Sequence, residues 1–325
     1  MKKWISLFIS GVLSLGLFAC KNNEDVGQVC VYMPDGAPAL AMAKLLIEDT
    51  ESDGISYRVV NPAIVKTKVT GGKETDNADF CVLPLTAGCK LLGSGENYKL
   101  LATLTHGNLF IVSNKNLSFT ADNLPELLGK TVGVLQLKEV PGLTFKTALQ
   151  NVEIPFVELA NGVSPQKDKV NLRPITSVGD LATVEADCYL LAQPAVSAVL
   201  KKGYTLACDL QALFGGGFPQ AVIVAKTSFI EKNVEFTRSF LSAVEESCQA
   251  LLSLKGSDIV SAVTAHLEDN TYQTTLKANL LTADTLGKCG VRYLADCKTY
   301  VIEYMQAIGR VDDTVAMPSE YFFWS

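Results

Sequence analysis

From Val29 onward, short apolar runs alternate with stretches whose apolar positions recur every third or fourth residue. Such alternation predicts strands followed by crossover helices, and so a mainly parallel sheet. Val29 to Met33 reads as a first strand, Asp35-Gly36 as a turn and candidate helix cap, and Pro38 as part of the first turn of a helix over Ala39 to Ile47. Next come a strand at Tyr57 to Val60, a helix near Pro62 to Val69, a strand at Phe80 to Leu83, and a helix opened by Thr86 and ended by Gly93. Leu100 to Leu104 and Leu109 to Val112 are apolar enough for two more strands.

The pattern then restarts: helix Asp122 to Leu128, strand Thr131 to Leu135, helix Leu143 to Gln150, and strands near Phe156 and Leu172. Helix Val178 to Val184, strand Asp187 to Leu191, helix Ala195 to Lys202 and strand Thr205 to Leu210 complete the series. Gly215-Gly216-Gly217 marks a flexible connection, and Ala221 to Ala225 a short buried strand returning to the first half. From Asn233 on the chain reads as helical. Phe236, Phe240, Val244, Cys248 and Leu251 keep helical spacing, as do Leu294, Val301, Met305 and Ile308. Phe236, Phe240, Tyr300 and Tyr304 are read as helix-packing residues.

The restart and the length of 325 residues both point to two lobes, since single cores stop growing at about 250 to 300 residues. The expected division is a signal segment at 1–19, a linker at 20–28, a first lobe at 29–112, a second at 113–217, and a return to the first at 218–325. Residues 1–20, MKKWISLFISGVLSLGLFAC, have Lys2 and Lys3 ahead of an apolar core ending Leu17-Phe18-Ala19-Cys20. That is the form of a lipoprotein export signal, with Cys20 as the lipidated residue and Lys21 to Asp25 as a polar spacer. Its apolar stretch falls short of the roughly 20 residues needed to span a bilayer. The expected location is therefore the outer face of a membrane, reached through a lipid on Cys20.

With 48% hydrophobic and 19% charged residues and a net charge of -6, the chain lacks the clustered basic patch that nucleic acid requires. Lys201-Lys202 is its longest basic run, at a helix end where cations favour the dipole. Besides Cys20 there are Cys30, Cys81, Cys89, Cys188, Cys208, Cys248, Cys289 and Cys297. Cys30, Cys81, Cys188 and Cys208 lie in apolar runs and read as free buried thiols; Cys289 and Cys297 are the one plausible local bridge. No CxxC occurs, and with only His106 and His266 a metal site has little to be built from. No cofactor is expected.

Tyr32-Met33-Pro34-Asp35-Gly36-Ala37-Pro38-Ala39-Leu40-Ala41 resembles the first strand-to-helix ligand loop of the type II periplasmic solute-binding proteins of ABC importers, in the branch of nitrate, sulfonate and thiamine-pyrimidine binders. Ala78-Asp79-Phe80 through Leu83-Pro84-Leu85-Thr86-Ala87 resembles a second such segment, and Gly129-Lys130-Thr131-Val132-Gly133-Val134 the opening of that family's second lobe. Asp187 to Ala195 and Phe218-Pro219-Gln220 resemble its later strand with proline and its returning hinge strand. The resemblance covers nearly all of the chain after Cys20. It implies a two-lobed α/β fold with a two-strand hinge and C-terminal helices on the first lobe. It also implies capture of a small solute by lobe closure and delivery to a permease and ATPase, by a monomer without catalytic activity.

The resemblance and the loop positions together select candidate ligand residues. Tyr32, Asp35, Gly36, Ala37, Pro38, Leu85, Thr86 and Ala87 would come from the first lobe. Lys138, Val140 and Gln193 would come from the second, and His106, Asn108 and Gln220 from the crossings. Helix N-termini there would offer N–H groups to a polar or anionic solute. One Lys and no Arg argue against a multiply charged anion. A sulfonate or similar monoanion and a flat nitrogen heterocycle both remain open. So do two other functions on the same scaffold, a lyase-type enzyme acting on a small acid and a sensor or surface module; the chain carries no Gly-x-Ser-x-Gly elbow, P-loop or dinucleotide-binding glycine signature.

Overall fold

A computed structural model describes residues 28–50, 54–71, 77–160 and 162–324. The export signal, Cys20 and all but the last residue of the expected linker lie outside the described residues. Among the described residues no helix is long and apolar enough to cross a membrane.

Two six-stranded sheets, one per lobe, organise the chain. The first contains β1 (Val29–Pro34), β2 (Ile55–Val60), β3 (Phe80–Pro84) and β4 (Tyr98–His106), joined by β11 (Pro219–Lys226) and β12 (Val291–Leu294). The second contains β5 (Leu109–Ser113), β6 (Thr131–Leu135), β7 (Phe156–Glu158), β8 (Val170–Ile175), β9 (Cys188–Ala192) and β10 (Thr205–Asp209). Spatial order is β12-β4-β11-β3-β1-β2 in one and β10-β5-β9-β6-β8-β7 in the other. Each sheet takes in a strand antiparallel to both its neighbours where the chain crosses: β11 between β3 and β4, and β5 between β9 and β10, with the edge strand β12 also antiparallel to β4. Each of these crossing strands follows a strand of the opposite lobe, so the chain crosses between the lobes twice and is anchored by a backbone ladder in the sheet it enters.

β5 therefore belongs to the second sheet, and the first lobe ends at the His106–Asn108 turn rather than at residue 112. Nothing local distinguishes a fifth strand of one sheet from an inserted strand of the next. Three further expectations change. Residues 62–66 are turns ahead of a short helix α3 (Thr67–Thr70). The stretches 122–128 and 178–184 are single 3₁₀ turns, Leu124–Leu127 and Val178–Ala182. Leu294 ends β12 on the sheet edge rather than opening a helix.

The helices cover both sheets. α1 (Ala37–Ala41) and α2 (Ala43–Glu48) follow β1, and α4 (Leu85–Leu92) follows β3. α5 (Val140–Asn151) follows β6, and α6 (Ala195–Leu200) follows β9. α7 (Thr227–Lys232), α8 (Val234–Ala250), α9 (Gly256–Ala265), α10 (Ala283–Gly287) and α11 (Lys298–Gly309) complete the set. On the first lobe Phe80 of β3 packs against Phe229, Phe236 and Phe240, with ring centroids 4.5 to 6.4 Å apart. That is close edge-to-face and tilted aromatic packing of the kind that adds to area burial. Tyr304 of α11 reaches the second lobe, where its hydroxyl lies 2.6 Å from Thr144 of α5. The eight described cysteines are free, seven of them buried; Cys289 and Cys297 thus form no bridge.

Candidate functional site

Parallel strands aim their carboxyl ends at one crevice. β1 and β3 end there from the first lobe, at Pro34 and Pro84, and β6 and β9 end there from the second, at Leu135 and Ala192. The loops that follow hold most of the residues selected from sequence.

After β1, Gly36 sits at φ 101° and turns the chain into α1, a conformation open to glycine and strained for other residues. Asp35 does not cap that helix. Its carboxylate is buried and accepts bonds from the Tyr272 hydroxyl at 3.0 Å, the Thr274 hydroxyl at 2.7 Å, and the Thr275 N–H and hydroxyl at 2.7 and 2.8 Å. Burial, then the neighbouring Asp35, push the Tyr272 phenol well up, so it stays a donor. Asp35 thus anchors Gly36, Ala37 and Pro38 to a distant segment of the same lobe. Tyr32 is also committed within its lobe: Lys68 lies 5.0 Å from its ring centroid and pairs with Glu268 at 2.6 Å.

After β3, Pro84 precedes α4, with Leu85 and Ala87 buried. Thr86 does not cap the helix either. Its Oγ1 is buried without any hydrogen-bond partner, and so is Oδ1 of Asn108 in the β4–β5 crossing. Asn108 is 5% exposed. Its Nδ2 makes a long bond to the Gln193 carbonyl at 3.5 Å, while its own carbonyl accepts from Gln193 N–H at 2.9 Å.

His106, beside it, is engaged on all sides. The ring stacks on Tyr300 with centroids 5.4 Å apart, Nε2 lies 2.7 Å from the Thr103 hydroxyl, and the backbone of Arg292 holds the ring too. Burial, then the Arg292 charge, lower its pKa to about 4, so the ring is neutral near pH 7. It acts as a packing element of the crossing. Gly290 explains how closely the backbones meet here: a Cβ on it would stand 1.7 Å from the Gly107 carbonyl oxygen.

In the second lobe Val140, at the start of α5, is buried, whereas Lys138 is exposed and paired with Glu158 at 2.7 Å. Burial pushes the Glu158 carboxyl up, but bonds from Lys138 and the buried Lys146 outweigh it and hold it below the usual carboxylate range. Gln193, 4% exposed, joins Pro194 through a cis peptide and turns Oε1 back to accept from Ser197 N–H at 3.2 Å and Ser197 Oγ at 3.0 Å. Gln220 is half-buried at the start of β11, with no bond from its side chain to a described residue.

Sequence reasoning missed the contacts that bridge the crevice. Lys66 donates to Glu139 at 2.9 Å, Lys201 to the Asn279 carbonyl at 2.9 Å, and Ser197 and Thr285 hydroxyls lie 2.9 Å apart. Each joins one lobe to the other, so the crevice is closed. No sequence signal marks these residues; Tyr272, Thr274 and Thr275 lie in a polar, Thr-rich run that was open to notice. Lys66 and Lys138 are paired, and the two buried side-chain atoms left without a partner beside the crevice, Thr86 Oγ1 and Asn108 Oδ1, are neutral. Among the described residues no group of three His, Cys, Asp or Glu side chains is arranged to hold a metal.

The chain matches no protein-family model and no curated protein sequence. Its likeness to known proteins is in structure. A crystal structure of an ABC transporter from Parabacteroides distasonis superposes with a TM-score of 0.67 at 16% identity, over 91% of this chain and 98% of that one. The periplasmic aliphatic sulphonate-binding protein of Escherichia coli gives 0.64 at 14% identity, over 91% and 92%. A zinc-bound ligand-binding component of an ABC-type import system from Staphylococcus aureus gives 0.60 at 12%, over 91% and 96%. This chain thus has the two-lobed fold of periplasmic binding proteins.

Proposed function

We propose that this protein is the extracytoplasmic solute-binding component of an ABC import system, closing its two lobes on a small polar solute and presenting it to a membrane permease driven by an ATPase. It works as a monomer held to the membrane by a lipid on Cys20. The observation that carries the reading is the pair of unpartnered buried atoms, Thr86 Oγ1 and Asn108 Oδ1, in loops that flank the crevice. More than 90% of buried polar groups in folded proteins have a partner, and leaving one unpaired costs about 1 to 3 kcal/mol. A solute bearing hydrogen-bond donors and acceptors supplies what both atoms lack. The solute is neutral or singly charged, because Lys66 and Lys138 are already paired and the Asp35 carboxylate is fully used. The sulphonate-binding neighbour supports a monoanion satisfied by helix N–H groups as readily as a neutral molecule.

Native mass spectrometry tests this on the chain from Lys21 onward, as purified and after unfolding and refolding. An adduct of a few hundred daltons or less that is lost on refolding, and whose return depends on Thr86 and Asn108, supports the reading. Chemical conversion of that molecule on incubation, rather than its return intact, would sink it.

A further inference from the structure

Gln193 is tied to the opposite lobe by a chain of hydroxyls whose direction the structure determines. The backbone N–H of Ser197 can only donate, and it points at one oxygen of the Gln193 amide, 3.2 Å away. That contact identifies the atom as Oε1 and leaves the NH₂ group on the other side, where no described residue accepts from it. Ser197 Oγ, 3.0 Å from the same oxygen, must therefore donate to it. Having given its proton to Gln193, Ser197 Oγ can only accept from Thr285 Oγ1 at 2.9 Å, and Thr285 in turn accepts from Thr282 Oγ1 at 3.2 Å. Ser197 and Gln193 belong to the second lobe; Thr285 and Thr282 belong to α10 and its cap on the first.

We propose that this Thr282–Thr285–Ser197–Gln193 chain is a closure latch, in which Thr285 and Ser197 are positioning residues that join the Gln193 loop to the first lobe while the lobes are shut. Opening separates Ser197 from Thr285 and frees the Ser197 hydroxyl to turn. Gln193 keeps the Ser197 N–H of its own lobe, but the Ser197 hydroxyl that also holds its oxygen is no longer fixed. The latch thus couples the shape of the molecule to how firmly the Gln193 amide is oriented. This rests on the solute-binding reading for its purpose, though the coupling itself is read without any solute.

The experiment compares wild type with Thr285→Val, which keeps the shape and removes the hydroxyl, and with Thr285→Ser, which restores the hydroxyl. Small-angle scattering reports closure, and hydrogen exchange reports the Ser197 amide. In Thr285→Val the radius of gyration rises, and the Ser197 amide, whose acceptors Gln193 Oε1 and the Pro194 carbonyl both lie in its own lobe, exchanges roughly two- to tenfold faster through the added opening alone, the factor by which one net hydrogen bond shifts that equilibrium. Thr285→Ser returns both towards wild type. Ser197→Ala, read by scattering alone, repeats the opening and guards against a folding defect peculiar to residue 285. Unchanged scattering and exchange in Thr285→Val overturns the latch, as does a Thr285→Ser variant that behaves like Thr285→Val. The solute reading fails separately, if Thr86→Val, which lies outside the chain, leaves the native mass adduct undisturbed.

Discussion

Asp35 and Gln193 each stand just past a parallel strand that ends at the crevice, but the bond networks around them reach different parts of the molecule. Asp35 takes its four bonds from residues 272–275 of its own lobe, so the loop after β1 is set whether or not the lobes meet. Gln193 takes its bonds from Ser197 of its own lobe, and the Ser197 hydroxyl accepts in turn from Thr285 across the crevice. One network ends within its lobe and the other is carried across the crevice by closure. On the proposed solute-binding role, such a division would let the first lobe offer a preset loop and the second report a bound solute as a change of shape, which is how a ligand shifts a two-state equilibrium.

The sharpest test of that contrast is stability. Asp35→Ala strands several buried donors and is expected to cost about 3 kcal/mol in urea unfolding, whereas Gln193→Ala costs about 1 kcal/mol or less. Equal losses would erase the distinction between the lobes. The crossing between them has its own signature in acid. The neutral His106 ring, with its pKa lowered to about 4 from the ordinary 6.5, contributes stability that is full above pH 6.5 and is lost as pH falls through that window. The unfolded chain binds the extra proton there, and the loss is on the order of 2 to 3 kcal/mol. His106→Gln should flatten this part of the stability profile; an unaltered slope would mean that other groups produce it.

Asn108→Leu inverts the sign. Removing an acceptor that has no partner should leave stability within about 1 kcal/mol of wild type, or raise it, while abolishing the solute adduct. The smallest effect belongs to the rim. Lys66→Glu, at a pair whose two side chains are 41% and 43% exposed, should weaken closure by about 0.5 kcal/mol in low salt and by almost nothing near 1 M, as scattering at the two ionic strengths would show.

How far this could be read from the chain depends on the range of the interaction. β1 and β3 were legible because Val29 to Met33 and Phe80 to Leu83 are apolar without interruption and are bounded by proline and small residues. β11 was legible for the same reason. β5 was given to the wrong lobe, and β12 was missed as a four-residue edge strand, because insertion into a sheet is decided by a partner far along the chain. Thr86 and Asn108 could be chosen as polar residues beside turns at strand ends. The true occupation of Asp35 could not, since its partners lie 237 to 240 residues away. Nor could the Ser197–Thr285 contact, spanning 88 residues between two ordinary hydroxyls.

The free cysteines give the molecule a built-in chemical record of which part has opened. Cys188 and Cys208 sit in the second sheet, while Cys81, Cys89, Cys248, Cys289 and Cys297 are buried in the first lobe. Burial raises their pKa values, to about 12 for Cys89, Cys248, Cys289 and Cys297, so an alkylating reagent finds almost no thiolate until the surrounding core gives way. Pulse labelling followed by peptide mapping would therefore time the two lobes independently within a single unmodified chain, with no reporter added.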